Sequence, residues 1–272
     1  MVDLREKNIL ITGGSLGIGF ACAQECLRAG GRIVICARDA AQVEIAVQEL
    51  ERIGAGNVAG IAANVTNAAS LGAALDLVES RFGAITSLVH AAAVQGPIGE
   101  ITAVDPDEWL NAIRINLFGT FLAVRQTSER MKARGGRIVV FSGGGAAAPF
   151  PNYTAYACSK TGVVRFAETA AQELASYGIE INALSPGLVA TRMLAQTLAA
   201  GQSPKVAPVS ASVGAEAAAF LLSDAAAGIT GKLVAAPHDG WHDWPQHVKE
   251  LGELDIFTLR RIVPRDRGMD WQ

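Results

Sequence analysis

The sequence predicts an α/β fold, with one doubly wound domain whose central parallel sheet carries helices on both faces. Three observations predict it. Short β-branched runs alternate along the chain with Ala/Leu-rich segments of helical period. A glycine-rich turn follows the first of these runs and opens a helix. No linker, repeat or low-complexity block interrupts the alternation. The chain has 272 residues, 50% hydrophobic and 18% charged, which is enough apolar material for one sizeable core.

The elements follow in order. Residues 9–12 (ILIT) form an apolar strand, and a helix begins near Leu16. Further strands are expected at 32–37, 57–63, 86–92, 136–142, 179–185 and 232–236. Helices are expected at 40–53, 67–82, 107–133 and 154–177. Such βαβ units have right-handed crossovers, and their ligands collect at the carboxyl ends of the strands. An irregular stretch is expected at 192–214, and a distinct tail begins at 237.

Composition excludes several classes. A net charge of −3 gives no basic field for nucleic acid. No apolar run approaches the roughly 18 residues that span a bilayer, so no membrane partner is expected. The start, MVDLREKNILITGG, lacks the apolar core of a secretory signal, and the expected location is cytoplasmic. Cys22, Cys26, Cys36 and Cys158 form neither a CxxC pair nor a zinc spacing, and read as free thiols.

Residues 9–19 read ILITGGSLGIG. Gly13, Gly17 and Gly19 allow a tight turn, close backbone approach to a pyrophosphate and close helix–strand packing. Downstream come Asn116 in RINLFGTF, Tyr156 and Lys160 four apart, and Pro186, Gly187 and Thr191 in NALSPGLVATRM. In this order, from about residue 5 to about 240, these motifs resemble the short-chain dehydrogenase/reductase family. The resemblance implies a Rossmann-type domain over 1–240 and an extension over 241–272, packed on that domain or on a neighbouring subunit. It implies an NAD(P)-dependent oxidoreductase that interconverts a ketone or aldehyde and an alcohol. It also implies a homo-oligomer, tetramer or dimer, built through 107–133 and 154–177. Cofactor contacts would come from Gly13, Ser15, Leu16, Gly17, Ile18, Asn64, Val65, Ala91, Ala92, Ala93, Tyr156, Lys160, Pro186, Gly187, Val189 and Thr191.

The second strand ends VICARD. Relatives that select NAD carry an acidic residue at the position of Ala37. Here Arg38 follows instead, and a guanidinium suits a 2′-phosphate. NADP is favoured on that ground. NAD stays open, because Asp39 adjoins Arg38 and Leu16 stands where NADP users often carry a cation. Asn64 replaces the family's usual Asp, and HAAA (90–93) replaces NNAG. His90 reads either as a satisfied core histidine or as a catalyst.

Tyr156 and Lys160 share a helix face, and a nearby cation favours the phenolate. By resemblance, Lys160 also holds the nicotinamide ribose and Asn116 seats a water of the proton relay. The family's substrate-orienting serine falls at Gly143. Three accounts are open. The glycine turn swings Ser142 to the substrate oxygen, the backbone N–H groups of Gly143–Gly145 bind it, or the hydroxyl is lost. The catalytic set expected is Tyr156, Lys160, Asn116 and Ser142.

The tail carries His238, Asp239, His242 and Asp243, whose spacing is not a metal motif, and no metal is expected. Trp241 and Trp244 read as apolar anchors beside a short helix at 245–254. Arg260, Arg261, Arg265 and Arg267 lie among Asp255, Asp266 and Asp270, as salt-bridged packing or as a phosphate-recognising cover for a substrate such as a sugar derivative. Gly143 and HAAA keep a non-catalytic NADP-binding sensor or scaffold in play. A cofactor-recycling epimerase or dehydratase is the third reading.

Overall fold

The computed structural model describes residues 2–204 and 206–270. Seven parallel strands form one sheet in the order β3-β2-β1-β4-β5-β6-β7. They are β1 (Asn8–Thr12), β2 (Arg32–Ala37), β3 (Val58–Ala62), β4 (Ser87–His90), β5 (Gly136–Phe141), β6 (Ile179–Ser185) and β7 (Leu233–Ala235). β1 is buried at all five positions, as a parallel strand covered on both faces must be. Helices α1 (Gly17–Arg28), α2 (Ala40–Glu51) and α8 (Ala211–Leu222) cover one face, and α3 (Ala68–Phe82), α5 (Gly119–Met131) and α6 (Thr154–Leu174) the other. Strand order reverses between β1 and β4, so a crevice opens at their carboxyl ends.

Two segments are built differently from expectation. The segment read as one helix over 107–133 is α4 (Pro106–Ile113), a π-helical turn (Arg114–Phe118) and then α5. The stretch read as irregular at 192–214 contains α7 (Arg192–Ala199) and the start of α8. Apolar period alone did not mark α8, because its face is made of alanines.

The tail completes the core. Trp241 is 5% exposed, rests against Phe220 with centroids 5.1 Å apart, and donates from Nε1 to the Ala236 carbonyl at 3.1 Å. Trp244 is equally buried and packs on Phe257 at 4.5 Å. A short helix, α9 (Val248–Glu253), follows. The chain then runs along the β7 edge. Leu233 N–H donates to the Phe257 carbonyl at 2.7 Å, and Lys232 Nζ donates to the carbonyls of Leu254 and Ile256. This satisfies an otherwise open sheet edge. Arg260 pairs with Asp255 at 2.8 Å and Asp266 at 2.9 Å. Asp239 accepts from Ala235 N–H and His242 stacks on Trp241, so both are engaged locally.

His90 ends β4 opposite Thr12 and is 2% exposed. Its Nδ1 lies 2.9 Å from Thr12 Oγ1, while its Nε2 has no partner among the described residues. Burial pushes its pKa down to about 3, and the Lys160 charge acts in the same direction. In the unfolded chain the ring titrates near ~6.5. The unfolded state therefore binds more protons between those values, and stability falls as pH drops through the window. We expect His90→Asn to flatten the loss of urea midpoint between pH 6.5 and 4 relative to wild type, with the difference between the two profiles as the readout. Identical profiles would mean that His90 is not held neutral by the fold. We further expect Trp241→Ala to cost about 3–5 kcal/mol in urea unfolding, as for other buried tryptophans. A loss under ~1 kcal/mol would make the tail peripheral to the core.

Candidate active site

The crevice holds a cavity of about 600 Å³. Its floor is the β1–α1 turn, where the expected Gly13, Ser15, Leu16, Gly17 and Ile18 all line it. The backbones here meet too closely for side chains. A Cβ on Gly13 would stand 2.8 Å from Ala92 Cα, and one on Gly19 would stand 2.3 Å from the Gly13 carbonyl oxygen. Gly13 also has φ +67° and Gly17 φ +58°. Asn64 and Val65 enter from the end of β3, and Ala91, Ala92 and Ala93 from the end of β4. The Asn64 Oδ1 is taken by Thr66, from N–H and Oγ1 at 3.0 Å each.

Arg38 lines the cavity at the end of β2 and is exposed. Asp39 caps α2 by accepting from Gln42 N–H at 3.2 Å, and Arg38 has no ion-pair partner among the described residues. Thr191 lines the cavity from above and would meet a Gly17 Cβ at 3.3 Å. Arg192 and Met193, Val94 and Ile115, and Gln42 line it too and were not singled out from sequence. Arg192 follows the expected Thr191 directly, and that adjacency was the available signal. Of the expected cofactor contacts, Tyr156, Lys160, Pro186, Gly187 and Val189 do not line the cavity. Pro186 packs near Gly214, Gly187 turns with φ +80° against Pro237, and Val189 bridges to Val209.

These donors fit a dinucleotide. The bare floor admits a pyrophosphate against backbone, and a free guanidinium sits at the ribose end.

Tyr156 and Lys160 stand on the first turns of α6, beside the end of β5. Lys160 is 3% exposed and donates from Nζ to the Phe141 carbonyl at 2.7 Å. The same Nζ lies 5.7 Å from the Tyr156 ring centroid. Loss of water pushes the Tyr156 hydroxyl up to about 12 and the Lys160 ammonium down to about 8. Burial thus favours the phenol, against which the Lys160 charge expected from the sequence spacing acts, and Tyr156 itself is half-buried. Asn116 is the buried residue of the π-helical turn. Its Oδ1 accepts from Val94 N–H at 2.8 Å, and its Nδ2 donates to the Val94 carbonyl at 2.8 Å and to Ser159 Oγ at 3.0 Å. Ser159 in turn donates to the Tyr156 carbonyl at 2.8 Å.

Ser142 does not swing towards the cleft. The alternation of β5 continues through it, with its N–H donating to the Leu184 carbonyl. Its Oγ therefore faces α6, 3.5 Å from the Lys160 carbonyl, and the residue is 3% exposed. Gly143 lies under the Tyr156 hydroxyl, where a Cβ would stand only 2.4 Å from Oη. The turn closes with Ala146 N–H donating to the Gly143 carbonyl at 3.2 Å and Gly145 at φ +83°. The N–H groups of Gly143, Gly144 and Gly145 have no acceptor among the described residues.

A family model described as short chain dehydrogenase matches residues 7–201. The chain is 34% identical over 245 residues to 2-(S)-hydroxypropyl-CoM dehydrogenase 3 of Xanthobacter autotrophicus, covering 85% of this chain and 95% of the relative. It is 34% identical to D-threitol dehydrogenase of Mycolicibacterium smegmatis, covering 84% and 90%. Among solved structures, an actinorhodin polyketide ketoreductase variant with NADPH superposes with a TM-score of 0.80 at 26% identity, covering 93% of this chain and all of that one. The chain therefore belongs to the short-chain dehydrogenase/reductase family and is an NAD(P)-dependent oxidoreductase.

Proposed function

We propose that the chain interconverts a ketone and a secondary alcohol with NADP as cofactor, using Tyr156 as the proton-transferring group. The observation that carries this reading is the buried Lys160 Nζ beside the Tyr156 ring, joined to the Asn116–Ser159–Tyr156 hydrogen-bond run. The nicotinamide, when bound, supplies or accepts the hydride. Gly13, Ser15 and Gly17 would hold its pyrophosphate on backbone, and Arg38 would take the 2′-phosphate while Asp39, which lines the same end, caps α2 through Oδ1. NADPH in a structural relative supports the same choice.

Tyr156 donates its proton to the carbonyl oxygen in the reductive direction and recovers it in the oxidative one. Lys160 beside it stabilises the phenolate left behind. The substrate oxygen is met by the free amides of Gly143–Gly145 in place of the usual serine hydroxyl. Glycine at 143 lets the Tyr156 hydroxyl come this close, and a side chain there would have to move it. Three buried, unpaired cysteines fit a reducing, cytoplasmic setting. Half-exposed Phe118 of the π-helical turn and Phe121 of α5, with Phe166 of α6 edge-on to Phe121 at 6.3 Å, offer an apolar face for a homo-oligomer.

The test is NADP⁺ and NAD⁺ reduction across a panel of secondary alcohols. We expect Tyr156→Phe to lower kcat by about 10²–10⁴-fold while fluorescence titration shows unchanged NADPH affinity. Turnover that survives this change would remove Tyr156 from the chemistry. Arg38→Ala should raise the NADPH Kd by at least ~10-fold and leave NADH unaffected, as loss of a charge-assisted phosphate contact requires. Gly143→Ala should lower kcat by ~10-fold or more at unchanged cofactor Kd, through a displaced Tyr156 hydroxyl and amide edge. Full activity in that variant would show that the oxygen is bound elsewhere.

A further inference from the structure

The start of α7 is fixed beside the glycine floor. Val189 and Val209 bridge, Val209 N–H donates to the Leu188 carbonyl at 2.7 Å, and Thr191 N–H donates to the Val189 carbonyl at 2.8 Å. A Cβ on Gly17 would meet Thr191 Cγ2 at 3.3 Å. α7 therefore begins next to the turn that would seat a pyrophosphate. Its first residue, Arg192, lines the same cavity and is exposed, so its guanidinium is open to a ligand that enters there.

This is an unfavourable place for a cation. The N-terminus of a helix carries partial positive charge, which favours carboxylates and opposes a guanidinium. Helix α4 follows that rule, with an Asp105 cap and with Asp107 and Glu108 in its first turn. Helix α7 does not. It has no acidic residue in its first turn, and Thr191 makes no side-chain cap. Arg192 itself has no ion-pair or side-chain hydrogen-bond partner among the described residues. Helix α1, which starts at Gly17, likewise has neither an acidic first turn nor a side-chain cap. Among the described residues, Asp39 is the only carboxylate that lines the cavity, and it stands at the end of β2, where it caps α2. The floor from Gly13 to Gly19 holds no charged side chain. This part of the cavity thus has a cation and two positive helix ends, with no group of the protein to neutralise them. A local arrangement that opposes helix electrostatics without compensation inside the fold is the mark of a functional position.

We propose that Arg192 binds the pyrophosphate of the nicotinamide cofactor from the α7 side, facing the backbone of the glycine floor. The planar guanidinium offers forked donors that match phosphate oxygens. The assignment rests on the cofactor seat described above. Two arginines then divide the cofactor between them. Arg38 answers the 2′-phosphate, which only NADP carries, and Arg192 answers the pyrophosphate, which NAD and NADP share. Arg192 thereby sets how tightly either cofactor is held, and Arg38 sets which one is preferred.

The probes separate these two roles. ADP-ribose has the pyrophosphate and no nicotinamide, and 2′-AMP has the 2′-phosphate and no pyrophosphate. Both are titrated calorimetrically, with NADH and NADPH, into wild type, Arg192→Gln, Arg192→Lys and Arg38→Ala. Arg192→Gln should raise the Kd of ADP-ribose, NADH and NADPH alike by about tenfold or more, the size of a lost charge-assisted hydrogen bond, and leave 2′-AMP unchanged. Arg192→Lys should recover part of that loss, since it keeps the charge and loses the fork. The ligand-free Tm of Arg192→Gln should equal or exceed that of wild type, because a cation leaves the positive end of a helix. Unchanged ADP-ribose affinity would overturn the proposal and make Arg192 a solvated surface group. A loss confined to NADPH and 2′-AMP would overturn it by moving Arg192 to the 2′-phosphate. A lowered ligand-free Tm with uniform loss on all four ligands would overturn it in favour of a role in folding. Binding is read here without turnover. ADP-ribose losses in a protein that oxidises no alcohol would uphold the role of Arg192 and sink the ketone–alcohol reading.

Discussion

One side chain holds the working end of this molecule together. The Asn116 amide pairs with both the N–H and the C=O of Val94, which otherwise would be peptide groups without a partner in a partly buried loop. Only a carboxamide offers donor and acceptor side by side for this purpose. The π-helical turn at Arg114–Phe118 is what presents it, and such turns recur at functional sites because the extra residue re-aims a side chain. Through Val94 the clamp shapes the cavity wall, and through Gln95 it reaches α7. Through Ser159 it reaches the carbonyl of Tyr156.

The charges around this frame are few and poorly solvated. Lys160 and His90 are both almost fully buried on the α6 side of the sheet, and burial drives each towards its neutral form. Tyr156 is driven the same way, towards the phenol. A desolvated site raises the effect of any charge placed in it, because the local dielectric is low. The arrangement therefore keeps its own titratable groups quiet and sets the Lys160 ammonium 5.7 Å from the centre of the ring whose hydroxyl would change charge during reaction. The glycine turn continues the pattern by offering backbone dipoles in place of another side chain.

Much of this was legible in the sequence, for identifiable reasons. The strand–helix alternation, the glycine floor and the ordered Asn116, Tyr156 and Lys160 are local signals, and each sits where its spacing placed it. The break in the 107–133 helix was not legible, since a π-helical turn keeps the apolar pattern and changes only its phase. Helix α8 escaped because alanine packs against α1 without giving a strong apolar period. Pro186, Gly187 and Val189 belong to a recognised motif, yet they support the cavity from outside its lining.

The sequence by itself determined the class of fold, the glycine floor of the crevice and the pairing of Tyr156 with Lys160 on one helix face. These depend on residue type at short separations, which the chain carries whatever its environment. Tertiary structure decided the direction of Ser142, the close approach of Gly143 to the Tyr156 hydroxyl, the Asp39 cap on α2 and the contact of Gln95 with Thr197. Each of these turns on what a side chain meets across the fold, and contacts between residues distant in sequence leave no mark on local pattern.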